Sequence, residues 1–133
     1  MAPLIAVVDD DVSVRESLES LMRSAGLSVR VFASAQQFLN SPHLHKTACL
    51  VLDVRMPGMN GTELHHHLLS DGCNVPVIFI TAHASDQDTR ARALSDGAVA
   101  YLIKPFEESE LLGAVQKALI STANSECGQG GLS

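Results

Sequence analysis

The chain contains no run of lysine or arginine, and its formal net charge is -6. Such a surface repels a phosphate backbone, so direct nucleic-acid binding is not expected of these residues. No apolar run approaches the length needed to cross a bilayer. The N-terminus has no secretory pattern either, because Met1-Ala2-Pro3-Leu4 meets Asp9-Asp10-Asp11 within the first segment. A cytoplasmic chain without membrane contact is therefore expected. Cysteine is scarce: Cys49, Cys73 and Cys127 are odd in number and lack C-x-x-C spacing. Cys49 lies inside an apolar run and reads as a reduced, buried thiol. The first strand-to-helix turn has no glycine, serine or threonine to cradle a phosphate. It has three aspartates, which repel an unescorted phosphate and disfavour a flavodoxin-like nucleotide binder.

What remains is a chain of 133 residues, 46% apolar and 18% charged, enough for one globular domain with a core. Residues 4–8 form an apolar run that ends in acids. Val14, Leu18, Leu21, Met22 and Ala25 recur at helical spacing, with Ser13 and Glu16 as a candidate capping box and Gly26 after the helix end. Residues 27–32 read as a strand. Ser34 and Gln37 fit a second capping box, opening a short helix that ends near Asn40. Residues 48–53 are a strand apolar throughout until Asp53. A helix over 62–70 follows, closed by Gly72. Residues 75–80 are another apolar strand with Pro76 near its start, where proline is tolerated, and Thr81 follows it. A helix over 85–96 is weakly amphipathic, with alanines and Leu94 as its apolar content. Residues 98–103 are the last strand, running into Lys104-Pro105. Glu107 and Glu108 fall in the first turn of a final helix, favourable for its dipole, with Leu111, Leu112, Val115, Ala118 and Leu119 as its stripe. The boundaries are a domain over 1–121 and a Gly-rich flexible tail or linker start over 122–133.

This alternation of strand and helix demands a parallel sheet covered by helices on both faces, an α/β three-layer, doubly wound sandwich. The expected strand order is 2-1-3-4-5, the flavodoxin-like arrangement, with its crevice at the carboxyl ends of the strands. Asp9-Asp10, Asp53, Thr81 and Lys104 each follow an apolar run directly, so all four should meet at one rim. Asp11 reads only as a helix cap. Three carboxylates at one rim repel one another and raise at least one pKa unless cations intervene. Lys104 supplies one positive charge and a divalent metal two more, which balances the site. Oxygen ligands suit Mg²⁺ or Mn²⁺ better than zinc. Asp53 is then a plausible nucleophile toward phosphorus, with Thr81 and Lys104 free to take phosphoryl oxygens.

The segments Val7-Val8-Asp9-Asp10-Asp11, Leu52-Asp53-Val54-Arg55-Met56-Pro57-Gly58, Ile80-Thr81-Ala82 and Tyr101-Leu102-Ile103-Lys104-Pro105-Phe106 resemble the receiver domain of two-component response regulators. The opening acidic run with Val14-Arg15 is similar to the FixJ-type subgroup, which often carries a DNA-binding output domain. The resemblance spans about residues 4–120 and implies a role for each position. Asp53 would be the phosphoacceptor for a sensor histidine kinase. Asp9, Asp10, Asp53 and the Arg55 backbone carbonyl would hold Mg²⁺. Thr81 and Lys104 would bind the phosphoryl group, and Tyr101 would be the aromatic switch, turning inward as Thr81 engages the phosphate. The Lys104-Pro105 peptide would be cis. The α4-β5-α5 face would meet a partner, an output domain C-terminal to this chain, or a second copy in a phosphorylation-dependent homodimer. Beyond its own phosphorylation and dephosphorylation, such a domain is not an enzyme. Arg55 and the position of His83 bear on phosphoryl lifetime in that family, but no lifetime follows from them.

An aspartate-nucleophile phosphatase of the haloacid-dehalogenase type would carry an acid two residues after Asp53, and Arg55 stands there. The His65-His66-His67 run does not read as a metal site, because adjacent helical side chains diverge by about 100°. His43, His45 and His83 are scattered, and loop or surface roles suffice for them.

Overall fold

The computed structural model describes residues 3–42, 44–82 and 87–122. Expectations that fall on the remaining residues, including the tail, His43, His83 and Cys127, lie outside the described residues. The elements in chain order are β1 (Leu4–Val8), α1 (Val12–Ser24), β2 (Ser28–Phe32), α2 (Ala35–Leu39), a 3₁₀ turn (Leu44–Lys46), β3 (Thr47–Asp53), α3 (Gly61–Ser70), β4 (Val77–Thr81), α4 (Gln87–Ser95), β5 (Ala100–Ile103) and α5 (Glu108–Thr122). All strand pairs are parallel, and the sheet order is β2-β1-β3-β4-β5, as the alternation predicts.

The central strands β1, β3 and β4 are apolar on both faces because both faces are covered. Strand periodicity divides the core into two layers. Ala6, Val8, Leu50, Leu52, Val77, Phe79 and Tyr101 pack with Phe38 of α2, Leu64 and Leu68 of α3, and Ala93 of α4. Ile5, Val7, Val29, Cys49, Val51, Ile78 and Ile80 pack with Leu18 and Met22 of α1 and with Leu111, Val115 and Ala118 of α5. Cys49 is buried and free, and burial pushes its thiol pKa up to about 12, so it stays an inert apolar filler.

The helix starts depart from the sequence expectation in instructive ways. The α1 N-cap is Asp11, whose carboxylate accepts from the Ser13 amide at 2.9 Å. The Ser13–Glu16 capping box does not form, because Asp11, two residues earlier at the strand exit, caps the helix and takes the Ser13 amide. At α2, Ser34 does accept from the Gln37 amide at 3.1 Å. Gln37 returns its Oε1 to the Ala33 amide instead of closing the box on Ser34. At α3 a complete box forms between Asn60 and Glu63, at 2.9 Å in both directions. The helix therefore begins at Gly61, one residue before the expected start at 62. At α5, Glu107 precedes the helix, and its amide donates to Glu110 at 2.9 Å. The helix itself continues through Thr122, slightly beyond the expected boundary.

Gly61 is required by proximity, not by its backbone angles. Its amide donates to the Val54 carbonyl at 2.9 Å, which seats the start of α3 against the end of β3. A Cβ there would run into the backbone carbonyl of Asp53. Gly61→Ala is expected to cost about 2 kcal/mol, since overpacking against backbone cannot relax by rotating a side chain. A urea melt followed by circular dichroism measures it, and an unchanged midpoint would contradict the close approach.

Candidate functional site

The carboxyl ends of β1, β3, β4 and β5 bring the expected residues to one rim. Asp9 follows β1, Asp53 ends β3, Thr81 ends β4 and Lys104 follows β5. One carboxylate oxygen each from Asp9, Asp10 and Asp53 lies within 4.8 Å of the others, the one such acidic group among the described residues. Asp9 and Thr81 are fully buried and Asp53 is only 6% exposed, whereas Asp10 faces solvent. The Lys104 Nζ sits 3.0 Å from Asp9 Oδ2 and 4.0 Å from Asp53 Oδ2. The ammonium has come from the far end of the chain, and only the sheet topology brings it here.

Electrostatics mark Asp53 as the group under most strain. Its pKa rises from 3.8 to about 7, first through burial and next through the Asp9 charge. Lys104 and the Arg55 amide, 3.3 Å from Asp53 Oδ1, pull the other way without offsetting the rise. One ammonium therefore does not satisfy the acid cluster. The donor set fits a hard divalent cation: three carboxylates from two strand ends, all oxygen, with one acid open to water. Arg55 lies in the loop that follows Asp53, its amide 3.3 Å from Asp53 Oδ1.

Thr81 and Tyr101 lie one strand and two strands away from Asp53. Phe79 pairs with Tyr101 and Thr81 with Ile103 in the β4–β5 register. The Tyr101 ring is turned inward, 8% exposed, with its centroid 6.1 Å from Phe79. The Lys104 amide donates to the Thr81 carbonyl at 2.7 Å, fixing the exit of β5 against β4. The Lys104-Pro105 peptide is cis.

The three adjacent histidines go to three destinations. His65 is buried edge-on to Phe79, with centroids 5.5 Å apart, and burial lowers its pKa despite the Asp96 charge. His66 Nε2 lies 2.7 Å from Asp96 Oδ2 at the end of α4, and His67 Nε2 is 3.3 Å from Asp71. They do not converge, and the sequence signal for His65 was only its place on the Leu64–Leu68 face.

In metal-free buffer Asp53 links stability to pH with a definite sign. The folded state holds its proton up to about pH 7, while the unfolded carboxyl releases it near 3.8. The folded state thus binds more protons between these values, and stability falls as pH rises through that window. Asp53→Asn should raise stability at pH 7.5 by on the order of 1 kcal/mol and flatten the slope. Melting temperatures across pH 5 to 8 measure this; a variant with an unchanged slope would refute it.

Comparison with known proteins agrees with this geometry. Residues 5–116 match the response regulator receiver domain family. The response regulator protein TodT of Pseudomonas putida is 47% identical over 118 residues, covering 89% of this chain and 52% of TodT. The transcriptional regulatory protein FixJ of Azorhizobium caulinodans is 40% identical over 115 residues, covering 86% of this chain and 54% of FixJ. The chain thus spans about half the length of the curated relatives it matches. Among solved structures, the response regulator StyR superposes with a TM-score of 0.85 at 46% identity, covering 92% of this chain and 62% of StyR. FixJ-N superposes at 0.80 with 33% identity, covering 90% of this chain and 95% of its own. Among the described residues no helix is long and apolar enough to cross a membrane. With the matched span covering all of the sheet but its first residue and every acid at its rim, this chain belongs to the response regulator receiver domain family of two-component signalling.

Proposed function

We propose that Asp53 accepts a phosphoryl group from the phosphohistidine of a sensor histidine kinase. The donor N–P bond breaks, the Asp53 O–P bond forms, and the released imidazole nitrogen takes up a proton. The observation that carries this reading is the convergence of Asp9, Asp10 and Asp53 within 4.8 Å, with the Lys104 ammonium 3.0 Å from Asp9 and 4.0 Å from Asp53. Mg²⁺, or Mn²⁺ in its place, would supply the charge neutralisation and orientation that phosphoryl transfer needs. Asp9, Asp10, Asp53 and the Arg55 backbone carbonyl would hold it. Lys104 would exchange Asp9 for a phosphoryl oxygen, and the Thr81 hydroxyl would take another. Catalysis by the chain is limited to its own phosphorylation and dephosphorylation.

Signalling requires that the phosphoryl group bias a two-state element. The support here is the weak anchoring of α4, in which Ala93 is buried and Leu94 is 39% exposed. Thr81 moving toward the phosphoryl group, beside a Tyr101 ring that is already turned inward, would shift the α4-β5-α5 face. That face would then meet a second copy or an output domain C-terminal to this chain. The named transcriptional relative FixJ and the half-length coverage support DNA binding as the output's task. A cytoplasmic location fits a kinase partner and the lack of a spanning helix among the described residues.

Incubation with acetyl phosphate and Mg²⁺ should add one phosphoryl mass to the chain. Chelation of the metal should abolish the gain, Asp53→Asn should show none, and Lys104→Ala should slow it roughly a hundredfold or more. Undiminished labelling of Asp53→Asn in intact-mass spectra would refute the assignment.

A further inference from the structure

The β1–α1 turn is only Asp9-Asp10-Asp11, yet it must present two acids to one cation while they repel each other. Asp9 is held on every side. Its amide donates to the Phe32 carbonyl at 3.1 Å, and its Oδ1 accepts from the Asp11 amide at 2.9 Å. Its Oδ2 accepts from Lys104 Nζ at 3.0 Å. Its backbone carbonyl accepts from Arg15 Nη1 at 2.8 Å. Arg15 stands in the first turns of α1, half-buried, and reaches back across the turn to do this.

We propose that Arg15 is a positioning residue for the metal-binding turn: it clips the Asp9 carbonyl to α1 and so fixes Asp9 and Asp10 for the cation. This rests on the metal reading given above. The guanidinium is well suited because it contributes a fixed donor without consuming a carboxylate oxygen. It grips a carbonyl, whereas Lys104 occupies Asp9 Oδ2 itself. Arg15 thus supplies order at the site, and its charge acts against the cation it helps to bind.

That opposition gives the test its sign. Removing a cation beside an acidic site should tighten divalent binding if charge alone matters. Removing the clip should weaken it, as loss of an outer partner to metal ligands does, by roughly tenfold. The probe is Mn²⁺ alone, with the free ion counted by electron paramagnetic resonance in the unphosphorylated chain. Arg15→Met keeps the length and a good helix former while removing donor and charge. Arg15→Lys keeps a donor of similar reach. Arg15→Met should bind Mn²⁺ about tenfold more weakly than the native chain, and Arg15→Lys within about threefold of it. Arg15→Met binding as tightly or more tightly, or Arg15→Lys binding as weakly as Arg15→Met, would overturn the role of Arg15 and leave the metal reading intact. A native chain that binds no Mn²⁺ would overturn both. Metal-free melting by circular dichroism, unchanged in Arg15→Met, separates lost positioning from lost fold.

Discussion

Repulsion among Asp9, Asp10 and Asp53 is the constraint on which the rest of the structure depends. Two of these acids are withdrawn from water, and a single ammonium lies between them. Burial first, and the Asp9 charge after it, hold the Asp53 pKa near 7 despite that ammonium. In the function proposed above, a site left short of positive charge would take up a divalent cation and, with that cation, a phosphoryl group. The same shortfall makes the fold less stable than it would be with a neutral rim. Function here is stored as a local electrostatic deficit that the sheet is stiff enough to sustain.

The surrounding elements hold that deficit in place. Parallel strands apolar on both faces bring their carboxyl ends to one level, so the acids cannot separate without breaking the core. The start of α3 is pressed against the end of β3 through Gly61, and its Asn60–Glu63 box ties down the amides of both residues. By contrast α4 contributes a single buried alanine and is clasped to α3 by His66 and Asp96. The acids thus sit on the most deeply packed strands, while α4 is held by few apolar contacts.

Much of this was legible in the residues themselves. Apolar runs ending in Asp9, Asp53, Thr81 and Lys104 announced the strands and their polar rim, because a strand covered on both faces tolerates a charge only at its end. The glycines after α1, α3 and α4 marked the helix stops. Helix starts were harder, since several residues near each start can accept the same free amides. Asp11 displaces Ser13 for that reason, and Asn60 caps α3 with no apolar periodicity ahead of it to mark the start. The burial of His65 was hidden because a histidine on an apolar helix face is ambiguous until Phe79 is known to lie beneath it.

The sequence by itself determined the class of fold and which polar residues end the strands, because periodicity and position along a strand are local properties; the strand order it narrowed only to the few right-handed arrangements. Only the tertiary structure decided that Lys104 faces Asp9 more closely than Asp53, that Arg15 grips the Asp9 carbonyl, and that Asp53 bears the raised pKa. These are properties of distance and burial between segments far apart in the chain, and a linear pattern carries neither.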